Sequence, residues 1–304
     1  MNMWEVVNWL FFLLVAAYAV YLFAHVVYSR YLFLKLGQKP PYEKLLKARL
    51  RELWVNVFGQ RKLLKDKKSG IMHVVMFYGF IVIQFGAIDL FIRGLMPGNH
   101  LPVPAYGAFT FIQELVTVMV LLATIYAAYR RFGEKLARLK QTWQSGLVIW
   151  FLTSLMLTIL LSAAFDMLWH GEAFGWTHPV ASVLALPFAG LPETATMVLF
   201  YIFWWLHTLI LFAFLVYVPQ SKHAHLIAAV INTFLKRQDP PGKLSNIDFE
   251  DEQAETFGKN KIEQFDQKQL LDLYACVECG RCTDVCPASG TGKMLSPMDL
   301  IVKM

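Results

Sequence analysis

Five apolar runs, each long enough to cross a lipid bilayer, constrain the fold of this chain more than any other feature. A hydrocarbon core about 30 Å thick is spanned by about 20 helical residues. The runs lie at about 4–29, 71–93, 108–128, 147–169 and 194–218. With 57% hydrophobic and 16% charged residues, the composition excludes an ordinary soluble enzyme. The sequence therefore predicts an all-α membrane protein, with a five-transmembrane-helix bundle in residues 1–225.

The distribution of basic residues predicts the orientation of this bundle. Between residues 30 and 68 there are twelve Lys or Arg and three acidic residues, and between 130 and 140 there are five and one. Because Lys and Arg are enriched in cytoplasmic loops, we expect both loops and the C-terminal part in the cytoplasm and the N-terminus outside. The net charge of +6 is therefore attributed to the cytoplasmic loops of a protein in the cell membrane. We expect no nucleic acid as partner.

The first of these basic loops contains leucines at helical spacing between residues 45 and 57. Such spacing among basic residues predicts a short amphipathic helix at the membrane interface. A solvated basic linker is the alternative. On the other side of the membrane, residues 179–191 are apolar but short, and they predict a lid or re-entrant cap.

The composition changes after the fifth apolar run. Acidic residues and prolines mark a polar linker at 226–258, and every cysteine lies in the region that follows, 259–304. Within this region, residues 259–274 have the spacing of an amphipathic helix, and Ser296 followed by Pro297 predicts the start of another helix.

The cysteines carry the most specific motif of the chain. Cys276, Cys279, Cys282 and Cys286, with Pro287, have the spacing C-x2-C-x2-C-x3-C-P, which is typical of ferredoxin [4Fe–4S] clusters. A structural zinc site is the alternative, but such sites usually combine two distant pairs of ligands. We therefore expect a cytoplasmic α-helical, ferredoxin-like iron–sulfur domain, incomplete in this sequence.

The fourth cysteine leaves the number of clusters open. In two-cluster ferredoxins the fourth cysteine of such a run ligates the other cluster. Here either all four cysteines hold one cluster, or the chain is the N-terminal portion of a longer protein with a second motif, which is the expectation we favour.

Histidines in or near the apolar runs are candidate haem ligands, because ionisable residues inside a membrane are costly. His73, at the cytoplasmic end of the second run, is at the right depth to share a haem b with His225 or His223. His225 is preferred because it is five whole helical turns from His207, provided that the helix continues through it. His207 lies deeper and is a ligand candidate for a second haem, with His25 as a weaker alternative, so one or two haems are expected.

Charged residues near the outer ends of the helices suggest proton transfer. Asp89 and Arg93 are four residues apart and can form an ion pair. Alternatively, Asp89, Glu114 or His100 exchange protons with a quinone near the outer surface.

Taken together, four segments carry a resemblance to a known family. They are Ser69–His73, Trp205–His207, Pro219–His225 and the run from Cys276 to Pro287. The chain resembles membrane iron–sulfur proteins related to heterodisulfide reductase, in which a cytochrome b part similar to the gamma subunit of respiratory nitrate reductase is fused to a ferredoxin-like domain. That gamma pattern has two histidines on its second helix, whereas this chain has only His73.

The resemblance implies a quinone-linked oxidoreductase of the respiratory chain. Its relatives exchange electrons with cytoplasmic proteins such as electron-transfer flavoprotein, or with subunits that carry cysteine-rich CCG domains, and with menaquinone. We therefore expect electron transfer between such a partner and the quinone pool through a [4Fe–4S] cluster and haem b, without covalent catalysis by side chains. A passive membrane anchor without haem and a membrane redox sensor remain alternatives.

Overall fold

The structure, a computed structural model, describes residues 3–40, 45–96, 98–172, 174–240, 249–250, 252 and 257–304. Helices make up 73% of the structure, and no strand occurs in the described ranges. The described α-helices, in chain order, are α1 (Met3–Lys35), α2 (Leu46–Leu53), α3 (Lys67–Leu95), α4 (Tyr106–Ala128), α5 (Trp143–Trp169), α6 (Pro179–Ala185), α7 (Glu193–Gln220), α8 (His225–Phe234), α9 (Gln267–Ala275), α10 (Arg281–Asp284), α11 (Pro287–Gly290) and α12 (Pro297–Lys303). The prediction of an all-α protein is confirmed.

Five of these helices are long and apolar enough to cross a membrane: α1, α3, α4 with the π-helical turn Tyr129–Gly133, α5 and α7. They coincide with the five predicted runs and extend beyond most of them into polar flanks. At the start of α3, for example, the Asp66 side chain accepts a hydrogen bond from the Ser69 N–H at 3.2 Å, which caps the helix ahead of its apolar part.

Contacts divide the chain into two compact units. The first unit comprises Met1–Tyr21 and Leu63–Val216, and the second comprises Leu22–Lys62 and Tyr217–Met304. The first unit therefore contains α3, α4, α5 and α6 and parts of α1 and α7. The second contains α2, α8 and the cysteine region. The predicted boundaries at residues 225 and 258 remain predictions.

The first unit has an aromatic core between its long helices. Phe12 is fully buried, and its ring lies 5.9 Å from that of Phe91 and 6.2 Å from that of Phe212. Gly94 lies directly against the Phe12 ring, where an added Cβ would overlap it. Small residues of this kind allow membrane helices to approach one another closely. The short helix α6 packs on α5, with Ala181 and Ala185 of α6 buried against Ala164 and Met167.

The second unit is built around α8, which packs against α2 and α9. The buried Arg49 of α2 donates hydrogen bonds to the Phe234 carbonyl at 3.0 Å and the Lys236 carbonyl at 3.4 Å. A basic side chain at this position satisfies carbonyl groups at the C-terminus of α8. The predicted short helix after residue 45 is therefore present as α2, which continues as the π-helical turn Trp54–Phe58.

The structure describes the predicted linker only in part, and one helix of the following region differs from its prediction. The predicted linker at 226–258 begins with α8, and its residues 241–248, 251 and 253–256 lie outside the described residues. The predicted helix at 259–274 begins only at Gln267, because Asp266 caps α9 and Phe265 is extended. The Gln38 N–H donates to the Phe265 carbonyl at 2.9 Å, which holds this stretch in an extended conformation.

Candidate functional site

The cysteines lie in tight turns and short helices that follow α9. Cys276 comes directly after the last residue of α9, and its backbone is extended. Glu278 and Gly280 have positive φ angles of 55° and 70°, so the chain turns sharply between the cysteines. Gly280 is the residue directly before α10, and α10 contains Cys282. At Gly280 the absence of a Cβ makes this positive φ angle inexpensive.

The fourth cysteine begins the next short helix. Cys286 precedes α11, with Pro287 at its first position. The Thr283 hydroxyl contacts the Ser296 hydroxyl at 3.0 Å, which connects α10 to the start of α12. The Ser296 side chain also accepts from the Asp299 N–H at 3.2 Å, which confirms the predicted helix start at Ser296 and Pro297.

Three of the four thiols are close enough to influence one another electrostatically. Burial raises the pKa of the Cys276 thiol above its ordinary value, and a hydrogen bond from the Glu278 backbone N–H partly offsets this. The nearby groups of Cys279, Cys282 and Glu278 raise the pKa of Cys276 further. Negative charges gathered in this way are stabilised when a cation is bound among them.

The four cysteines are all free thiols. Among the residues that the structure describes, no group of three or more His, Cys, Asp or Glu side chains stands at the spacing of a metal-ion site. The donor set nevertheless fits the chemistry of an iron–sulfur cluster, because four thiols lie on one short segment and a backbone N–H is directed at a sulfur.

Contacts within the second unit hold this segment in place. The segment from Cys276 to Cys286 is called the cysteine loop below. Within it, the Glu278 carboxylate lies 2.9 Å from the Lys222 ammonium. On α8, the Asn232 side chain donates to the Asp272 carboxylate of α9 at 2.8 Å. The cysteine loop is thereby connected to the segment that follows the fifth membrane helix.

That segment carries His223 and His225. Their ring centroids are 6.0 Å apart. The Nδ1 atom of His223 lies 3.3 Å from the Ser221 hydroxyl, and that of His225 lies 3.3 Å from the Lys222 carbonyl. Both rings are half-buried.

The preference for His225 over His223 assumes one continuous helix from His207 to His225, and this assumption is wrong. The α7 helix ends at Gln220, Ser221 is extended, and α8 begins at His225 after a 3₁₀ turn. The Ser221 side chain accepts from the His223 N–H and caps this new start. Because the helix from His207 is interrupted, the two histidines are equal candidates.

His207 is buried in α7. Its Nδ1 atom lies 3.1 Å from the Leu155 carbonyl and 3.1 Å from the Thr158 hydroxyl. With the proton on Nδ1, the ring donates to the carbonyl and presents Nε2 as a base. Metal-ligating histidines usually have this kind of hydrogen bond to the second nitrogen.

The remaining haem candidates are distributed between the two units. His73 is half-buried in α3 of the first unit, and His25 is exposed on the part of α1 that belongs to the second unit. His223 and His225 also belong to the second unit. The pairing of His73 with His223 or His225 therefore stays a prediction.

Asp89 lies in an ionic network between α3 and α4. Its carboxylate is buried and accepts from the Leu101 N–H at 2.6 Å, the Tyr106 hydroxyl at 2.8 Å and the Arg93 guanidinium at 3.1 Å. The predicted pairing of Asp89 with Arg93 is confirmed. His100 stacks on Tyr106 with a centroid distance of 4.1 Å, so two of the three proton-transfer candidates contact the same tyrosine.

The third candidate, Glu114, has a separate position. Its buried carboxylate accepts from the Val180 N–H at 2.7 Å and the Ala181 N–H at 3.2 Å, at the start of α6. His178 lies 3.4 Å from the same carboxylate, and its hydrogen bond to Glu114 raises the pKa of His178 above the usual value. Glu114 thus connects α4 to the start of α6.

Two ionic contacts of these regions involve residues far apart in the sequence. Lys222 and Glu278 are one, and the other joins Arg138 to Asp66 at 2.6 Å beside the buried Arg130. The segment Pro219–His225 stands out in the sequence for its histidines and not for Lys222. The cysteine motif leaves the residue type at position 278 open. No local pattern predicts these pairs.

Curated proteins similar to the chain are iron–sulfur and quinone oxidoreductases by name. The chain is 57% identical over 300 residues to a probable iron–sulfur-binding oxidoreductase, FadF, of Bacillus subtilis, covering 98% of this chain and 43% of that protein. It is 28% identical over 271 residues to an EtfAB:quinone oxidoreductase of Syntrophomonas wolfei, covering 84% of this chain and 37% of that protein.

A shorter similarity concerns a different kind of protein. Over 61 residues, 20% of this chain and 9% of the relative, the chain is 43% identical to a probable membrane-anchored ferredoxin of Chromohalobacter salexigens. No protein-family model and no solved structure matches. The chain spans less than half the length of the curated relatives it matches. Five apolar helices and the names of these relatives together indicate a membrane protein similar to iron–sulfur oxidoreductases that transfer electrons.

Proposed function

We propose that the chain transfers electrons between a cytoplasmic redox protein and a quinone, as part of a membrane-bound oxidoreductase. The observation that carries this proposal is the cysteine loop, which contacts the histidine-bearing segment after α7 through Lys222 and Glu278. A redox centre on the loop would thereby be held next to candidate haem ligands. Similarity to iron–sulfur oxidoreductases along nearly the whole chain supports the same function.

The loop would hold a [4Fe–4S] cluster through Cys276, Cys279 and Cys282, and through Cys286 when only one cluster is present. Such a cluster, when bound, takes up and releases single electrons. The Glu278 N–H is directed at the Cys276 sulfur, where it stabilises negative charge. The short helices α10 and α11 follow the turns of this segment, with Cys282 in α10 and Cys286 directly before α11.

Haem b would be held by His73 with His223 or His225, and His207 is the ligand candidate for a second haem. The Nδ1 atoms of His207, His223 and His225 each lie within hydrogen-bonding distance of an oxygen, which orients the ring, as is usual for histidines that ligate a metal. His25 is exposed on α1 and remains the weaker alternative.

The relative from Syntrophomonas wolfei is named for EtfAB and quinone, which supports an electron-transfer flavoprotein as the cytoplasmic partner and menaquinone or another quinone as the membrane substrate. Asp89, Glu114 and His100 are our candidates for proton exchange with the quinone. With the cysteine loop in the cytoplasm and the N-terminus outside, these residues would lie at the outer ends of their helices.

The test uses the full-length protein in detergent, with iron and acid-labile sulfide analysis and a pyridine haemochrome assay. We expect both cofactors in the wild type and loss of one haem equivalent in His73→Ala. His170→Ala, at an exposed position of the outer surface, is the matched control and is expected to retain all haem. Unchanged haem content in His73→Ala would show that the ligand assignment is wrong.

A membrane anchor without haem is the second candidate, because one relative is named a membrane-anchored ferredoxin. In that case the helices would only attach a ferredoxin-like domain to the bilayer. The absence of a Soret band in wild-type protein that contains iron and sulfide would decide for the anchor. Reduction of a quinone analogue by the purified protein would decide against it.

A further inference from the structure

The ion pair between Lys222 and Glu278 connects two segments that the proposed function joins. Glu278 lies between Cys276 and Cys279, and Lys222 directly precedes His223. The ammonium and carboxylate are 2.9 Å apart, and their side chains are only 11% and 20% exposed. Because the pair is largely removed from solvent, water and salt screen its charges less than those of a surface pair.

Other contacts fix the chain just before the cysteine loop. The Arg30 guanidinium lies 4.6 Å from the centre of the Tyr274 ring and donates to the Gln220 carbonyl at 3.3 Å. These contacts and the packing of α8 on α9 position the end of α9. The pair of Lys222 and Glu278 holds the loop itself, two residues beyond Cys276.

The carboxylate of this pair lies within electrostatic range of the Cys276 thiol. The Glu278 carboxylate is one of the groups that act on the Cys276 thiol. Lys222, at 2.9 Å from that carboxylate, places a positive charge in the same region. A reduction step adds one electron, forms or breaks no bond, and makes the cluster with its thiolates more negative by one charge. Lys222 therefore favours the reduced form, and Glu278 favours the oxidised form.

We propose that Lys222 and Glu278 form an electrostatic clasp that sets the reduction potential of the cluster and holds its loop beside the segment of His223 and His225. This inference rests on the proposed function, because it requires a cluster on the cysteine loop. The electron comes from the cytoplasmic redox protein and passes on to the membrane part. Lys222 and Glu278 are positioning residues, since they act through the loop and its charge.

The test is a redox titration of the full-length protein in detergent, followed by the electron paramagnetic resonance signal of the reduced cluster. Lys222→Gln removes the positive charge, and we expect a roughly tenfold lower ratio of reduced to oxidised cluster at a fixed potential. Glu278→Gln is expected to change the ratio by a similar factor in the opposite direction. A tenfold change corresponds to about 59 mV for one electron.

Two further variants separate tuning from a general loss of structure. The double variant Lys222→Gln/Glu278→Gln is expected to have a potential close to that of the wild type. Lys268→Gln is the matched control, because Lys268 pairs with Asp272 within α9 and neither residue belongs to the segment from Cys276 to Cys286. We expect no shift in this control.

Shifts in the same direction for Lys222→Gln and Glu278→Gln, or no shift at normal iron and sulfide content, overturn this inference and leave the proposed function intact. Absence of iron and sulfide from the wild type overturns both. The holding role is tested by cluster retention during gel filtration. Lys222→Glu is expected to lose the cluster and Lys222→Glu/Glu278→Lys to retain it, and equal loss in both overturns the clasp.

Discussion

Replacing Asp89 with alanine is expected to lower the free energy of unfolding by about 3 kcal/mol. The buried carboxylate accepts hydrogen bonds from the Leu101 N–H, the Tyr106 hydroxyl and the Arg93 guanidinium. A buried donor that loses its acceptor costs about 1–3 kcal/mol, and the half-buried Leu101 N–H and Tyr106 hydroxyl would each cost about 1.5 kcal/mol, in the lower half of that range. The Arg93 side chain is 42% exposed, so water can replace the lost carboxylate as its hydrogen-bond partner. The loss of this ion pair therefore adds little to the destabilisation.

Asp89→Asn provides an internal comparison. Its amide oxygen still accepts from the Leu101 N–H, but its NH₂ group cannot accept from Tyr106, so we expect about half the loss. The measurement is denaturant unfolding in mixed detergent micelles, followed by tryptophan fluorescence. Glu172→Ala, at an exposed position, is the control and should stay within about 0.5 kcal/mol of the wild type. An equally small effect in Asp89→Ala would refute the reasoning.

Two further predictions concern the first unit. Gly94→Ala places a Cβ against the Phe12 ring and is expected to cost about 1–3 kcal/mol, seen as a lower melting temperature, whereas Gly190→Ala, with nothing within 4 Å, should melt like the wild type. The hydrogen bond to Glu114 raises the pKa of His178, so its stabilisation is complete below about pH 6.5 and is lost as pH rises through the higher folded-state pKa. Glu114→Gln should flatten this fall in stability above pH 6.5, and an unchanged slope would contradict the assignment.

The apolar runs predict the five long helices because each run is long enough, as a helix, to span the hydrocarbon core of a bilayer. The apolar runs do not predict the ends of these helices, because the helices continue into polar flanks. In α3, for example, the first residue is set by the capping side chain of Asp66. Ser296 and Pro297 predict the last helix correctly, because a capping residue and a proline act on adjacent backbone. Local chemistry of this kind is visible in a sequence.

Contacts between distant segments are not visible in the same way. The interruption at Ser221 has a local signal, a capping residue soon after Pro219, but the apolar pattern on both sides suggests continuity. The extended conformation at Phe265 depends on Gln38, more than 200 residues earlier. The cysteine spacing predicts the loop, whereas the partner of Glu278 depends on where Lys222 lies in the fold.

The backbone of Glu278 adopts the left-handed conformation, with a φ of 55°. For a residue with a Cβ this strain costs about 1–2 kcal/mol, which a glycine would avoid. The ion pair with Lys222 offsets it, so the shape of the cysteine loop depends on a residue that lies in another part of the chain. A peptide of residues 259–304 lacks Lys222, and cluster reconstitution into it is expected to be less complete than into the full chain. A full and equal reconstitution of that peptide would contradict this dependence on Lys222.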